Sequence, residues 1–318
     1  LIGVGLYISS IYVNAKNTDI NEEVLTSSTL SLNIYDSTNK PIKESNAVNH
    51  AYASIDSLQP YTINAFISIE DKTFYEHNGI NPKRIVKAGI NNIKSHSLKE
   101  GASTITQQLI KNTQLSNEKT YSRKIKEIAL AQKIEKMYDK NKILEYYLNV
   151  IYFGNNCYGI ESAANYYFSK SANNLTLNES CTLAGMIKSP AQYSPLKNVE
   201  KCQNRRNIVL KEMQKDGKIS TEEYTISKDK KIELKLNKDK INKLNSYSES
   251  AINEAEKILG IPARQIALSG YKIYTYQDEE KQNALEEAIK SQNVNCDSAG
   301  IVIDNEKCAI SAYIGDSI

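Results

Sequence analysis

The sequence predicts a mainly α fold over residues 49–220, followed by a smaller α+β portion at 221–318. Three observations carry this. Apolar residues recur at helical spacing in successive segments between 61 and 217. Capping and stop residues, among them Ser103, Thr176, Pro190 and Gly217, punctuate those segments. Alternating, strand-like stretches, apart from a short one at Leu30–Tyr35, fall in the C-terminal part.

Composition narrows the function classes. The 318 residues suit about two domains. A hydrophobic fraction of 40% with 24% charged residues is that of a globular chain. A formal net charge of +3 is too small to indicate nucleic acid, so any basic site must be local. Tyr (21) with no Trp must supply most aromatic packing. Five cysteines, an odd number at wide spacing, do not form a disulfide framework and read as small buried hydrophobes.

In chain order, Leu1–Val13 is uncharged and starts without Met. A bilayer-spanning helix takes about 20 apolar residues, so this stretch reads as the end of a transmembrane anchor, with a buried first helix or strand as the alternative. Residues 14–48 are rich in Asn, Ser and Thr and read as a spacer; the acidic excess of residues 14–60 favours the outer side of a membrane. Helices are predicted at Tyr61–Glu70, at Lys83–Lys94 with Pro82 in the first turn, and from Ser103 to about Lys111. A long helix, Glu118–Tyr138, has apolar positions almost all the way round and belongs in an interior. Further helices are predicted at Lys140–Leu148, Ile160–Tyr167, Thr176–Lys188 and Gln203–Gly217. The Lys-rich stretch 226–246 reads as an exposed strand or linker. Beyond it come a helix at Glu249–Leu259, a strand at Tyr271–Tyr276, a helix at Asp278–Gln292 and a hairpin of Gly300–Ile303 with Ala309–Ile314.

Chemistry concentrates between residues 66 and 127. A carboxylate pair, Glu70-Asp71, is followed by Phe74 and His77. A hydroxyl and amide cluster follows at Ser103, Thr104, Gln107 and Gln108, and then Arg123-Lys124 precede Glu127. Hydroxyls and amides both donate and accept, which suits sugars and phosphates. An Arg four residues before a Glu is most often a surface pair worth about 0.3–0.5 kcal/mol. Here Leu130, Ala131 and Ile134 follow the acid on the same helix, so Glu127 points toward an apolar region with two cations at its edge, a setting typical of functional sites.

Five blocks in order carry a family resemblance: Glu70-Asp-x-x-Phe-x-x-His-x-Gly79, Gly101-x-Ser-Thr-Ile-Thr-Gln-Gln108, Arg123-Lys-x-x-Glu127, Lys142-Ile-Leu-Glu-x-Tyr-Leu-Asn149 and Arg205-Arg-x-x-Val-Leu210. Over residues 50–215 the chain resembles the lysozyme-like glycosyltransferase (transglycosylase) module of class A penicillin-binding proteins, which polymerise lipid II into peptidoglycan glycan strands. The tail from about 226 resembles the linker and first strands of their transpeptidase module. Its Lys-Thr-Gly signature is absent here.

The resemblance implies that Glu70 is the general base taking a proton from the attacking sugar hydroxyl. It implies that Lys111, Lys119, Arg123 and Lys124 face the departing lipid diphosphate, with Glu127 holding that array and touching the donor sugar. Ser103, Thr104, Gln107 and Gln108 would contact substrate, whereas Asp71, Phe74, His77 and Asn149 would support the site. Arg205 and Arg206 read as scaffold ion pairs. A divalent cation, Mg²⁺ or Mn²⁺, would bridge Glu70 and the diphosphate, although no metal-ligand spacing demands one; no organic cofactor is expected. Implied partners are lipid II, the growing strand, the membrane and other cell-wall synthesis proteins, with the catalytic domain extracytoplasmic. Two departures stand out: Lys119 replaces an Arg frequent in relatives, and Asn81 an Asp. The flap-like segment Ala88–Glu100 is polar here and is expected to be poorly ordered without ligand. A lysozyme-like lytic hydrolase and a non-catalytic assembly scaffold are the competing readings. The basic set weighs against the first, and the presence of both Glu70 and Glu127 against the second.

Overall fold

The computed structural model describes residues 2–26, 29–30, 32–42, 48–49, 52–86, 103–115, 120–155, 157–237, 245–261, 263–291 and 298–315. Two compact units emerge, cut differently from the expected boundaries. One takes the described residues between 1 and 26, 50 and 115, and 119 and 241; the other those between 27 and 49 and between 242 and 318.

The first unit is helical. Helix α1 (Ile2–Asn17) is followed by α2 (Glu23–Thr26), whose Val24 and Leu25 are buried, so residues 14–26 are not a plain spacer. Among the described residues no helix is long and apolar enough to cross a membrane. Leu6, Tyr7, Ile8 and Val13 of α1 are exposed, and its later part is tied down through Tyr12 Oη donating to Gln132 Oε1 (2.5 Å). Helix α3 (Pro60–Glu70) starts on Pro60, whose missing N–H costs nothing in a first turn. Helix α4 spans 82–86 as described; the rest of the Lys83–Lys94 helix and the Ala88–Glu100 flap lie outside the described residues.

Helix α5 (Ile105–Gln114) opens with a capping box: Thr104 Oγ1 accepts from Gln107 N, and Gln107 Oε1 accepts from Thr104 N. Helix α6 (Tyr121–Met137) is capped by Thr120 and buries Glu127, Ala129, Leu130, Ala131 and Ile134. Its other flank carries exposed Lys126 and Met137, so it is buried along one side and not all round. Helix α7 (Lys140–Val150) crosses the core and carries buried Tyr146 and Tyr147. Its Glu145 accepts from the Ile55 amide (2.9 Å), Tyr52 Oη and Lys142. Burial acts to raise the Glu145 pKa, but Lys142 and these donors outweigh it and leave the carboxyl below its ordinary value.

Helices α8 (Ile160–Phe168), α9 (Leu177–Met186), α10 (Pro190–Tyr193) and α11 (Val199–Lys215) complete the unit with α12 (Thr221–Asp229). Gly185 lets α9 and α11 meet closely, since a Cβ there would lie 3.2 Å from Arg205 Cγ. Residues 231–237 are extended, but they are not an exposed linker. Lys235 and Asn237 donate backbone bonds to Tyr167 and Tyr166, and Ile232, Leu234 and Leu236 pack on the core.

Arg206 is scaffold, yet no acid among the described residues pairs with it. It is 1% exposed, and its guanidinium donates to Asn207 Oδ1, Lys230 O (2.7 Å) and Lys228 O (3.0 Å), closing the end of α12. Burial holds its pKa below the ordinary value. Arg206→Ala is expected to lower the stability of this unit by about 3 kcal/mol, read as a shift of the urea midpoint. A change below about 1 kcal/mol would mean that water serves those carbonyls as well.

Cys157, Cys181 and Cys202 are buried, as small hydrophobes should be, and burial pushes the Cys202 thiol up to about 12. Cys308 departs from the expectation by being exposed; Cys296 lies outside the described residues.

In the second unit, β1 (Thr29–Leu30) pairs antiparallel with β3 (Val48–Asn49). Strand β2 (Asn33–Tyr35) pairs in parallel with β4 (Lys272–Tyr274), so part of the supposed spacer is sheet in the C-terminal unit. Helices α13 (Ser246–Leu259), α14 (Ala263–Leu268) and α15 (Glu279–Ser291) accompany the hairpin of β5 (Gly300–Asp304) and β6 (Ala309–Ile314).

Candidate active site

Glu70 is the last residue of α3, half-buried at the start of the loop that leads to α4. Its Oε2 accepts from Gln108 Nε2 at 2.7 Å. Gln108 Oε1 in turn lies 3.3 Å from the hydroxyl of fully buried Tyr147. Burial, reinforced by the charges of Glu70 and Asp71, holds the Tyr147 pKa well above its ordinary value, so the phenol stays a donor. Tyr147 therefore orients the Gln108 amide, and the amide aims the carboxylate.

Asp71 is fully buried and turns away from Glu70. Its Oδ2 accepts from the Ile105 amide at the start of α5 (3.0 Å) and lies 2.9 Å from His77 Nε2. His77 thus serves structure, and Phe74 beneath it is fully buried with the Lys140 ammonium 4.4 Å from its ring centre.

The loop closes on Gly79, at φ +84°. A Cβ there would meet the Ala131 carbonyl oxygen of α6 at 2.7 Å, so only glycine lets the loop lie against that helix. The Gly79 carbonyl accepts from Thr104 Oγ1 (2.6 Å). One residue thereby fixes the start of α5 against α6.

On α6, Glu127 is 2% exposed and accepts from Arg123 Nη1 (2.9 Å) and from Lys124 Nζ. Lys124 Nζ also donates to Ser103 Oγ (3.0 Å). Arg123 Nε is buried without a hydrogen-bond partner among the described residues. Gln107 is buried inside the capping box, with its Nε2 likewise unpartnered, so its place is structural as well as polar. Lys111, exposed one turn beyond Gln107 on α5, has no ion-pair partner among the described residues.

The start of α5 therefore serves both acids: Gln108 donates to Glu70, and Ser103 accepts from Lys124, which pairs with Glu127. Thr104 and Gln108 are separated by about 6 Å of helix rise. Asn149 stands apart, bonding both backbone groups of Ala53 (2.8 Å each) and bracing α7. Lys119 lies outside the described residues. A cavity of about 420 Å³ between α1, the end of α5 and α6, lined in part by Ile11, Leu115, Lys126 and Leu130, includes none of the expected site residues.

Sequence reasoning passed over three contributors. Tyr147 looked like core, and Arg84 carried no motif. Asn81 drew notice only as a departure. Asn81 Oδ1 accepts from Arg84 N (3.0 Å), capping α4, while its Nδ2 donates to Thr73 Oγ1 (2.6 Å). Only the capping pattern, Asn followed by Pro, could have been read locally.

The model of one protein family, described as transglycosylase, matches residues 38–214, more than half of the chain. The chain belongs to the transglycosylase family. Penicillin-binding protein 1A/1B of Bacillus subtilis (strain 168) is 40% identical over 271 residues, 82% of this chain and 29% of that protein. Penicillin-binding protein 1A of Aquifex aeolicus (strain VF5) is 42% identical over 244 residues, 75% of this chain and 33% of the relative. Penicillin-binding protein 1A of Escherichia coli (strain K12) is 38% identical over 245 residues, 77% and 28% of the two chains. The transglycosylase chain thus spans about a third of the length of these relatives. A crystal structure of penicillin-binding protein 1A from Haemophilus influenzae aligns over 88% of this chain and 34% of its own, at 20% identity and a TM-score of 0.39, too loosely to add weight. Membership makes the helical unit a glycosyl-transferring enzyme module and accords with the mainly helical fold.

Proposed function

We propose that the protein to which this transglycosylase module belongs polymerises lipid II into peptidoglycan glycan strands. The observation that carries the reading is the placement of two unlike charge environments at the start of α5. Glu70, whose carboxylate accepts from the neutral Gln108 amide, sits at one side. Arg123 and Lys124, gathered on Glu127, sit at the other, with Lys111 further along the helix.

The chemistry needs such a division. A sugar 4-hydroxyl attacks the anomeric carbon of the donor, its oxygen forming the new glycosidic bond while the carbon–oxygen bond to the lipid diphosphate breaks. The hydroxyl proton passes to Glu70. Negative charge collects on the departing diphosphate, where fixed cations stabilise it without reorganising. An α-linked donor then gives a β-linked product by a single inverting displacement. A lytic hydrolase would have no use for the cationic side, because its leaving group is an uncharged sugar.

Mg²⁺ or Mn²⁺ fits this rim through Glu70 alone. Among the described residues no three His, Cys, Asp or Glu could hold a metal ion, and Asp71 is committed to His77 and the Ile105 amide. Held by Glu70, such an ion would supply charge neutralisation for the departing diphosphate. Chelation by EDTA is expected to slow polymerisation and added Mg²⁺ or Mn²⁺ to restore it; an unaltered rate would remove the ion from the scheme.

The exposed apolar residues of α1 support a membrane-anchored protein, and the acidic excess of residues 14–60 supports this module lying on the extracytoplasmic face, where lipid II and other cell-wall synthesis proteins would meet it. The deciding experiment offers the full chain labelled lipid II and, separately, finished glycan. Polymer from the first and no cleavage of the second is the expected pair of results. Cleavage of finished glycan without polymer would overturn the reading.

A further inference from the structure

Arg84 belongs to none of the motif blocks, yet it touches both halves of the carboxylate pair. Its Nη1 donates to the Glu70 backbone carbonyl and stands 3.7 Å from Asp71 Oδ1. That carbonyl is among the last of α3, which have no partner within the helix. A cation at a helix C-terminus also opposes the negative end of the helix dipole. Asp71 Oδ1 is buried without a hydrogen bond, while Oδ2 holds His77 and the Ile105 amide.

We propose that Arg84 is a positioning residue for Glu70, holding its main chain from one side while Gln108 holds its side chain from the other. This rests on the lipid II reading above. Arg84 is itself fixed: its amide donates to Asn81 Oδ1, and Asn81 Nδ2 ties to Thr73 in the loop between α3 and α4. One guanidinium nitrogen, Nη1, donates to the carbonyl and lies within ion-pair range of the Asp71 carboxylate, and the planar group is fixed more firmly there than a lysine ammonium on its flexible stem. Through Asp71 the same clamp reaches the first amide of α5, the helix that carries Gln108. Glu70 is thereby framed at both its backbone and its carboxylate. A general base displaced by about 1 Å loses up to about 100-fold in rate, so loss of this frame acts on turnover more than on binding.

The test compares the full chain with Arg84→Ala and Arg84→Lys, measuring lipid II polymerisation together with amide hydrogen exchange. Arg84→Ala is expected to lower kcat by about tenfold with KM within about twofold. Arg84→Lys is expected to recover part of the loss. Amides of Asp71–Phe74 and the last turn of α3 are expected to exchange faster in Arg84→Ala. Unchanged kcat, or a loss borne wholly by KM, would overturn the proposal, as would unchanged exchange at those amides. Should the unmodified chain fail to polymerise lipid II, the functional reading falls, while the exchange comparison still decides whether Arg84 holds this corner. Should Arg84→Ala not fold, the Lys variant gives the same two readouts.

Discussion

Glu70→Gln is expected to lower the rate of glycan polymerisation by about 10²–10⁴-fold, the usual contribution of a positioned general base. The substitution removes the basic oxygen and keeps the shape. A glutamine oxygen can still accept from Gln108 Nε2, so the packing around Tyr147 has no reason to change. The thermal midpoint should therefore stay near that of the parent. Binding of lipid II should also persist, because the cations proposed to face the diphosphate belong to α5 and α6. Single-turnover rates with labelled lipid II, set beside a melting curve, check this directly. A Glu70→Gln variant that polymerises at the parent's rate would return the module to the scaffold reading.

Glu127→Gln is expected to cost both activity and stability, which separates it from the first. Glu127 is 2% exposed and accepts from Arg123 and Lys124 together. Neutralising it leaves two cations facing each other, one of them with its Nε already buried and unpartnered. Removing one member of a buried pair costs about 3–5 kcal/mol. Lys124 is 40% exposed, and water screens its share, so about 2–3 kcal/mol is expected here. With the array no longer held, the rate of diphosphate departure should fall by about 100-fold or more, the scale of one lost fixed charge-stabilising group. Urea unfolding and polymerisation by the same preparation test the two parts together. Full stability with full activity would mean that Arg123 and Lys124 keep their places without Glu127.

Much of the helical unit was legible because its rules are local. Capped helix starts were expected near Ser103 and at Thr176, and the structure makes each a capping box, Thr104 with Gln107 and Thr176 with Glu179. The Arg123–Glu127 contact follows from one turn of helix. The helix at Thr221–Asp229 escaped notice because its Lys-rich surroundings hide a weak periodicity, although Ser220 and Glu223 spell a third capping box. The pairing of β2 with β4 was illegible for a different reason: Asn33 and Lys272 meet only after nearly the whole chain has folded.

By itself, then, the sequence determined which groups are available and the order in which they come. It placed an acid at a helix end, a capped turn of hydroxyls and amides, and two cations one turn ahead of a second acid, all within about sixty residues. Tertiary structure alone decided how these groups face one another. Tyr147 reaches Gln108 across 39 residues, Gly79 bears on the backbone of α6 at Ala131, and Arg84 returns to the carbonyl of Glu70. Capping and periodicity act over one turn of chain, whereas the direction of a carboxylate depends on partners that only packing brings together.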